Sequence, residues 1–200
     1  MKNKQAELIG RLSNRELHMQ LFFTQILLLV ISVILGFWLF DDFSSFTKIF
    51  HSEWKIIYIG VSAGLIVVLF DLVLMKLLPE SYYNDGGINE RIFTSLSYPM
   101  VAVVASMVAV SEELLFRGVL QTHIGLLWTS VLFALVHYRY LFHPFLFVNI
   151  IVVSFFIGFI FEMTGNLYVT ISMHFTIDFI LGLIIKVKKG KNLDRKREDR

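Results

Sequence analysis

Long apolar stretches alternate with short polar connections along the whole chain. A helix needs about 20 mostly apolar residues to cross a bilayer, and residues 21–40 form the first such stretch without a single charge. Ser13 and Glu16 have the spacing of a capping box and predict a helix start just before it. Pro99 falls in the first turn of a later stretch, where proline is favoured. The pattern predicts six spanning helices, with a short reversal near 122–125 between the third and the fourth: 21–40, 54–78, 96–121, 126–138, 142–161 and 167–187.

These stretches predict an all-α fold, a polytopic transmembrane helical bundle of about six spans. We divide the chain into a cytoplasmic, interfacial N-terminal segment 1–20, a single integral-membrane domain 21–187 and a basic cytoplasmic tail 188–200. The sequence contains no internal repeat and no linker long enough to separate a second domain.

The composition indicates a lipid environment rather than water. Of the 200 residues, 56% are hydrophobic and 17% are charged, and the mean hydropathy is +0.69. Soluble domains carry about 25% charged residues. Disorder and nucleic-acid binding both require charge and polarity that this chain lacks. With no cysteine, the chain has no disulfide, no thiol nucleophile and no Cys-ligated metal.

Lys and Arg residues are distributed unevenly between the two predicted sides of the membrane. Six spans put both termini on one side, and that side holds fifteen of the 18 Lys and Arg residues, whereas the other side holds only Lys48 and Lys55. Because cytoplasmic loops collect Lys and Arg, we predict that both termini are cytoplasmic. The basic tail is then placed to contact anionic lipid.

Charged and histidine side chains lie inside the predicted spans, where each is costly unless it is paired or hydrated. Glu113 and Arg117 are four residues apart, the spacing of an intrahelical ion pair. Glu112 lies about 100° around the helix from Glu113 and stays outside this pair. We therefore predict that Arg117 anchors Glu113 and that Glu112 acts as a base. Further ionisable groups lie in two other predicted spans: His137 at the end of the fourth, and His174 and Asp178 in the sixth.

Glu112, His137 and His174 are predicted to meet because they fall at similar depths. From the reversal, Glu112 lies about 17 Å back and His137 about 21 Å forward along their helices. One carboxylate and two imidazoles are the donors of a His₂Glu zinc site, with an open position for water. The same groups also suit activation of water without a metal, with His174 and Asp178 orienting groups or stabilising an oxyanion. The sequence leaves both chemistries open, and Asp178 is expected to orient His174 or to serve as a further ligand.

Three short motifs in this order resemble those of the CPBP family, the CAAX proteases and bacteriocin-processing enzymes also called Abi. The family motifs are EExxxR, FxxxH, and Hxxx followed by Asn or Asp. The resemblance covers residues 111–178, and the matching residues are Glu112, Glu113 and Arg117, then Phe133 and His137, then His174 and Asp178.

The resemblance implies a glutamic or metalloprotease of the bacterial cytoplasmic membrane, hydrolysing a peptide bond of a membrane-anchored or lipidated polypeptide. Asp178 stands where eukaryotic members have Asn, so an oxyanion-stabilising amide is absent at that position. Some relatives are assigned to bacteriocin self-immunity or to scaffolding, which makes a non-proteolytic role on the same fold the alternative. The resemblance transfers catalytic roles to Glu112, Glu113, His137 and His174 and supporting roles to Arg117, Phe133 and Asp178. Zinc ligation by Glu112, His137 and His174 follows from their donor types alone and stays one of two alternatives.

Overall fold

The computed structural model describes residues 10–138, 140 and 143–198, without the side chains of Glu80 and 190–198. Residues 1–9 of the predicted N-terminal segment and 199–200 of the predicted tail lie outside the described residues. Every regular element within the described ranges is helical, which confirms the all-α prediction. We number the helices α1 (Asn14–Leu39), α2 (Phe43–Thr47), α3 (Ile56–Leu77, π-helical over Ile56–Val61), α4 (Glu80–Tyr83), α5 (Ile88–Ser95), α6 (Tyr98–Glu113, continued by a π-helical segment Leu114–Gln121), α7 (Thr122–Val136), α8 (Pro144–Thr164) and α9 (Leu167–Glu198).

Five helical runs in the described part of the chain are long and apolar enough to cross a membrane. This confirms a polytopic helical membrane bundle. The last run begins at residue 167, where the predicted sixth span begins. Helix α9 continues beyond that span into the basic tail, as far as Glu198. The five runs are Asn14–Leu39, Ile56–Leu77, Tyr98–Val136, Pro144–Thr164 and Leu167–Lys189.

The third run, Tyr98–Val136, consists of two helices joined at a reversal. A straight helix would separate Glu112 from His137 by about 37 Å, yet their side-chain polar atoms lie 4.0 Å apart. The chain turns back at Gly125, where φ is 78° and ψ is 171°. Glycine adopts this backbone conformation readily because it has no Cβ. The reversal expected near 122–125 is therefore present, and the single run contains the third and fourth predicted helices.

The returning part of this run is shorter than the sequence pattern predicts. The helix ends at Val136, and His137 already has the non-helical angles φ −85° and ψ 36°. Residues 126–136 rise about 17 Å, roughly half of a 30 Å hydrocarbon layer. The helical part of the predicted span 126–138 therefore ends two residues earlier than predicted. One reason is that the His137 ring bonds the Phe133 carbonyl (Nδ1 to O, 2.8 Å) and so satisfies a polar group at the helix end.

The predicted capping box sets the start of α1. The Glu16 N–H donates to Ser13 Oγ at 3.3 Å, and the Ser13 N–H donates to the Glu16 carboxylate at 2.7 Å. These two bonds satisfy donors that a helix start would otherwise leave open. The helix therefore begins at Asn14, seven residues before the apolar stretch that marks it in the sequence.

Small residues bring α3 against α9, the helix that bears His174. A Cβ added to Gly64 would lie 2.7 Å from the Met173 carbonyl oxygen, so only glycine fits the contact. About two turns earlier on α3, the Ile56 carbonyl accepts a hydrogen bond from the Ser172 hydroxyl at 2.7 Å. This close packing fixes the position of α9 in the bundle.

Candidate active site

Three elements bring the predicted site residues together inside the bundle. Glu112 and Glu113 end α6, His137 directly follows α7, and His174 and Asp178 lie one turn apart on α9. The reversal at Gly125 makes this possible because Glu112 precedes it by thirteen residues and His137 follows it by twelve, nearly equal distances along the two helices. The convergence predicted from depth is thus present in the structure.

The Glu112 carboxylate faces both histidines. Its Oε2 lies 4.0 Å from His137 Nε2 and 4.0 Å from His174 Nε2. These distances exceed that of a direct hydrogen bond, but they suit one bridging water molecule. The residue is nearly buried, with a relative exposure of 7%. The carboxylate and the two ring nitrogens therefore enclose a place for a small polar molecule.

The main-chain contact of His137 determines which ring nitrogen faces Glu112 with a lone pair. Its Nδ1 lies 2.8 Å from the Phe133 carbonyl, which can only accept a hydrogen bond, so Nδ1 carries the proton. In the neutral ring, Nε2 then presents its lone pair toward Glu112. This arrangement suits a group that accepts a hydrogen bond from water.

Glu113, rather than Asp178, makes the shorter contact with His174. The Nδ1 of His174 donates to Glu113 Oε1 at 2.9 Å, whereas Nε2 lies 3.6 Å from Asp178 Oδ2. From the sequence we expected Asp178 to orient this ring or to be a further ligand, and Glu113 to pair with Arg117. Glu113 contacts both neighbours because its two carboxylate oxygens point in different directions, Oε1 to α9 and Oε2 forward along its own helix to Arg117.

The Arg117 guanidinium is completely buried, and polar groups surround it. Its Nε lies 3.6 Å from Glu113 Oε2, which confirms the predicted ion pair. Its Nη1 donates to Gln121 Oε1 at 3.2 Å, and its Nη2 donates to Ser154 Oγ at 2.9 Å. Sequence reasoning missed Gln121 and Ser154, which are single polar residues in apolar stretches. The available signal was that Gln121 follows Arg117 by four residues, the same spacing as Glu113 to Arg117.

Phe133 packs beneath the site and supports two of its members. Its ring stacks on His137, with centroids 4.7 Å apart and planes inclined by 28°. The Arg117 guanidinium carbon lies 5.4 Å from the same ring's centroid, within cation–π range. Phe133 itself is 2% exposed, so its buried ring gives the imidazole an apolar surface to pack against.

The three predicted zinc ligands face one another across 4.0 Å, measured from Glu112 Oε2 to the Nε2 atoms of His137 and His174. Zinc binds nitrogen and oxygen ligands at about 2.0–2.2 Å. Among the described residues, no group of three or more His, Cys, Asp or Glu side chains is arranged to hold a metal ion. We therefore derive the chemistry below from the side chains alone, and zinc binding at Glu112, His137 and His174 stays a prediction.

A buried carboxylate, two imidazoles and an anchored arginine inside a helical membrane bundle define a candidate hydrolytic site. Residues 94–180 match the family model of type II CAAX prenyl endopeptidases, described as Rce1-like. The chain is also 41% identical over 164 residues to the uncharacterized protein YpbD of Bacillus subtilis (strain 168), an alignment that covers 82% of this chain and 87% of that relative. The chain belongs to the CPBP family of CAAX-type intramembrane proteases. No solved structure matches it.

Proposed function

We propose that this protein is an intramembrane endopeptidase that hydrolyses a peptide bond of a membrane-associated polypeptide. The observation that carries the proposal is the placement of the Glu112 carboxylate 4.0 Å from the Nε2 atoms of His137 and His174. A scaffold protein would need its buried charges satisfied. Arg117 already contacts Glu113 and two further polar side chains, so Glu112 is not needed to neutralise it.

In the proposed reaction, Glu112 and His137 activate one water molecule. Glu112 takes a proton from the water as its oxygen bonds to the peptide carbonyl carbon, while His137 Nε2 accepts a hydrogen bond from that water. His174 has carboxylates at both ring nitrogens, an arrangement that suits the imidazolium form and lets it stabilise the oxyanion. When the carbon–nitrogen bond breaks, Glu112 returns the proton to the departing amine. The water thus supplies the hydroxyl of the new carboxyl group and one hydrogen of the new amine.

The depth and exposure of the site favour a substrate that arrives within the membrane plane. The side chains of His137 and Asp178 are 23% and 29% exposed, whereas those of Glu113 and Arg117 are completely buried. The exposed pair lies on the side toward which α7 and α9 run. We infer a polar cavity entered from that side or laterally from lipid, which suits a lipidated or membrane-anchored polypeptide. Prenylated peptides of the CAAX type are the first substrates to test because the matching family is described by them.

We further propose that both termini and the cavity entrance are cytoplasmic, in the bacterial cytoplasmic membrane. The chain has no cysteine, and Tyr138 is 54% exposed one residue beyond His137. We expect Tyr138→Cys to react with a membrane-impermeant thiol reagent in inverted vesicles but not in intact cells. Trp38→Cys is the matched control because Trp38 lies near the C-terminal end of α1, on the side predicted to face outward. It should react in intact cells but not in inverted vesicles. Labelling of Tyr138→Cys in intact cells would invert the topology and the entrance with it.

The metal alternative gives a separate expected result. Because the proposed water activation by Glu112 and His137 needs no metal, we expect purified active protein to contain far less than one zinc per chain and to keep its activity in the presence of a chelator. The measurement is elemental analysis of the purified protein together with hydrolysis before and after chelation. Near-stoichiometric zinc that is lost in His137→Ala, with activity that disappears on chelation, would establish the zinc site instead.

The experiment that tests the function is hydrolysis by the purified wild-type protein in liposomes. The substrates are a panel of lipid-anchored peptides, prenylated and acylated, incubated in ¹⁸O-labelled water beside Glu112→Gln. Direct attack by water predicts one ¹⁸O atom in the new carboxyl group of the product, detected by mass spectrometry. If no peptide of the panel, and no protein of membranes from the source cells, is cleaved in a Glu112-dependent way, the non-proteolytic alternative is favoured.

A further inference from the structure

A second aromatic ring stacks on His137. The Tyr140 ring lies nearly parallel to the imidazole, with centroids 6.1 Å apart and planes inclined by 10°. Phe133 stacks on the same imidazole at 4.7 Å. His137 is thus part of a three-ring series formed by residues before and after it in the chain.

The turn after α7 explains why Tyr140 reaches the imidazole. The Tyr140 N–H donates to the His137 carbonyl at 2.9 Å, a bond between residues three apart. In such a tight turn the side chains at positions i and i+3 lie over one another. The position of Tyr140 under His137 is therefore a consequence of local backbone geometry.

The Tyr140 hydroxyl is in turn held by a separate helix. The Asn89 side chain on α5 donates to Tyr140 Oη at 3.3 Å. Helix α5 is itself firmly seated, because Ile88 and Ile92 are buried and Lys189 of α9 pairs with Glu90. The contact thus connects the turn at His137 to a fixed helix.

We propose that Tyr140 is a positioning residue for His137 and that Asn89 holds it in place. His137 lies just past the end of a helix, and its Nδ1 donates to the Phe133 carbonyl. A ring stacked on the imidazole restricts its rotation, so that Nε2 stays directed at Glu112. This inference rests on the proposed function for its effect on rate, but the positioning itself is a property of the protein without substrate.

The experiment compares four variants of the full-length protein in detergent: Tyr140→Leu, Tyr140→Phe, Asn89→Leu and, as the matched control on the same turn, Tyr138→Leu. Two readouts are used. The first is the rate at which diethyl pyrocarbonate modifies His137, measured peptide by peptide by mass spectrometry. The second is kcat and KM on any peptide that the wild-type protein cleaves.

We expect Tyr140→Leu to lower kcat about three- to tenfold, the range set by the loss of one aromatic pair, with little change in KM. Its His137 should react faster with the reagent because the ring is less restrained. Tyr140→Phe keeps the ring but loses the hydroxyl that Asn89 contacts, so both values should lie between those of the wild type and Tyr140→Leu, close to those of Asn89→Leu. Asn89→Leu should lie between, and Tyr138→Leu should match the wild type.

Equal His137 reactivity in wild type, Tyr140→Leu and Asn89→Leu would overturn the proposal. So would a Tyr138→Leu variant as impaired as Tyr140→Leu, since that would indicate a general effect on the turn. If Tyr140→Leu does not fold, Asn89→Leu and Tyr140→Phe decide the matter by the same readouts. If the wild-type protein cleaves nothing while His137 reactivity changes as expected, the proposed function fails and the positioning role of Tyr140 stands.

Discussion

Glu112→Gln is expected to lower kcat for peptide hydrolysis by about 10²- to 10⁴-fold, the contribution of a positioned general base. The amide keeps the shape of the side chain but cannot take a proton from water. Folding should be nearly unaffected, because the Glu112 carboxylate makes no contact shorter than 4.0 Å with either histidine. The measurement is kcat on a cleaved lipid-anchored peptide, together with thermal unfolding in detergent.

Glu162→Gln is the matched control for this substitution. Glu162 is an exposed carboxylate near the end of α8, away from the three elements of the site. The same chemical change there should leave hydrolysis and unfolding at wild-type values. Full activity of purified Glu112→Gln would show that this carboxylate is not the base.

Arg117→Ala is expected to reduce the free energy of unfolding by about 3–5 kcal/mol, as for other buried ion pairs that lose one partner. The substitution leaves Glu113 with a buried charge and no guanidinium, and it removes the hydrogen bonds to Gln121 and Ser154. Activity should fall as well, because Glu113 also holds His174. Unfolding in detergent, followed by heat or denaturant, measures the loss.

The double variant Glu113→Gln with Arg117→Ala separates two contributions to the loss of stability: the buried charge without its guanidinium partner, and the cavity that the arginine side chain leaves. Removing both charges should recover part of the stability lost in Arg117→Ala, since no buried carboxylate then lacks its guanidinium partner. Activity should not recover, because His174 has lost its carboxylate partner. An Arg117→Ala variant that unfolds at the wild-type temperature would contradict the ion-pair argument.

Much of the fold could be predicted because membrane spans are long and strongly apolar. The capping box at Ser13 and the reversal before residue 126 could also be predicted, since each depends on residues close together in sequence. The end of α7 could not be predicted. We predicted the span to end at Tyr138, whereas the helix stops at Val136, where the His137 side chain takes the Phe133 carbonyl. A side-chain contact of this kind leaves no trace in an apolar pattern.

The convergence of the candidate site could be predicted, but the partners of its members could not. Charges at membrane depth stand out, so Glu112, Glu113, Arg117, His137, His174 and Asp178 were all identifiable. Which carboxylate orients His174 depends on the rotation of α6 against α9, and sequence spacing on one helix carries no information about that rotation. For the same reason Ser154, the Arg117 partner on α8, emerged only in three dimensions.

The early end of α7 bears on how an anchored substrate would reach the proposed site. The helical part of the returning segment is about half as long as a hydrocarbon layer is thick, and backbone that is not helical at membrane depth needs protein or water around it. The exposed side chain of Tyr138 at this point suits the entrance proposed above. We infer that the aqueous phase extends toward Glu112 as a recess on that side of the bilayer. A polypeptide whose anchor stays in lipid would then bend its chain into this recess by only a few residues, without extraction of the anchor from the membrane.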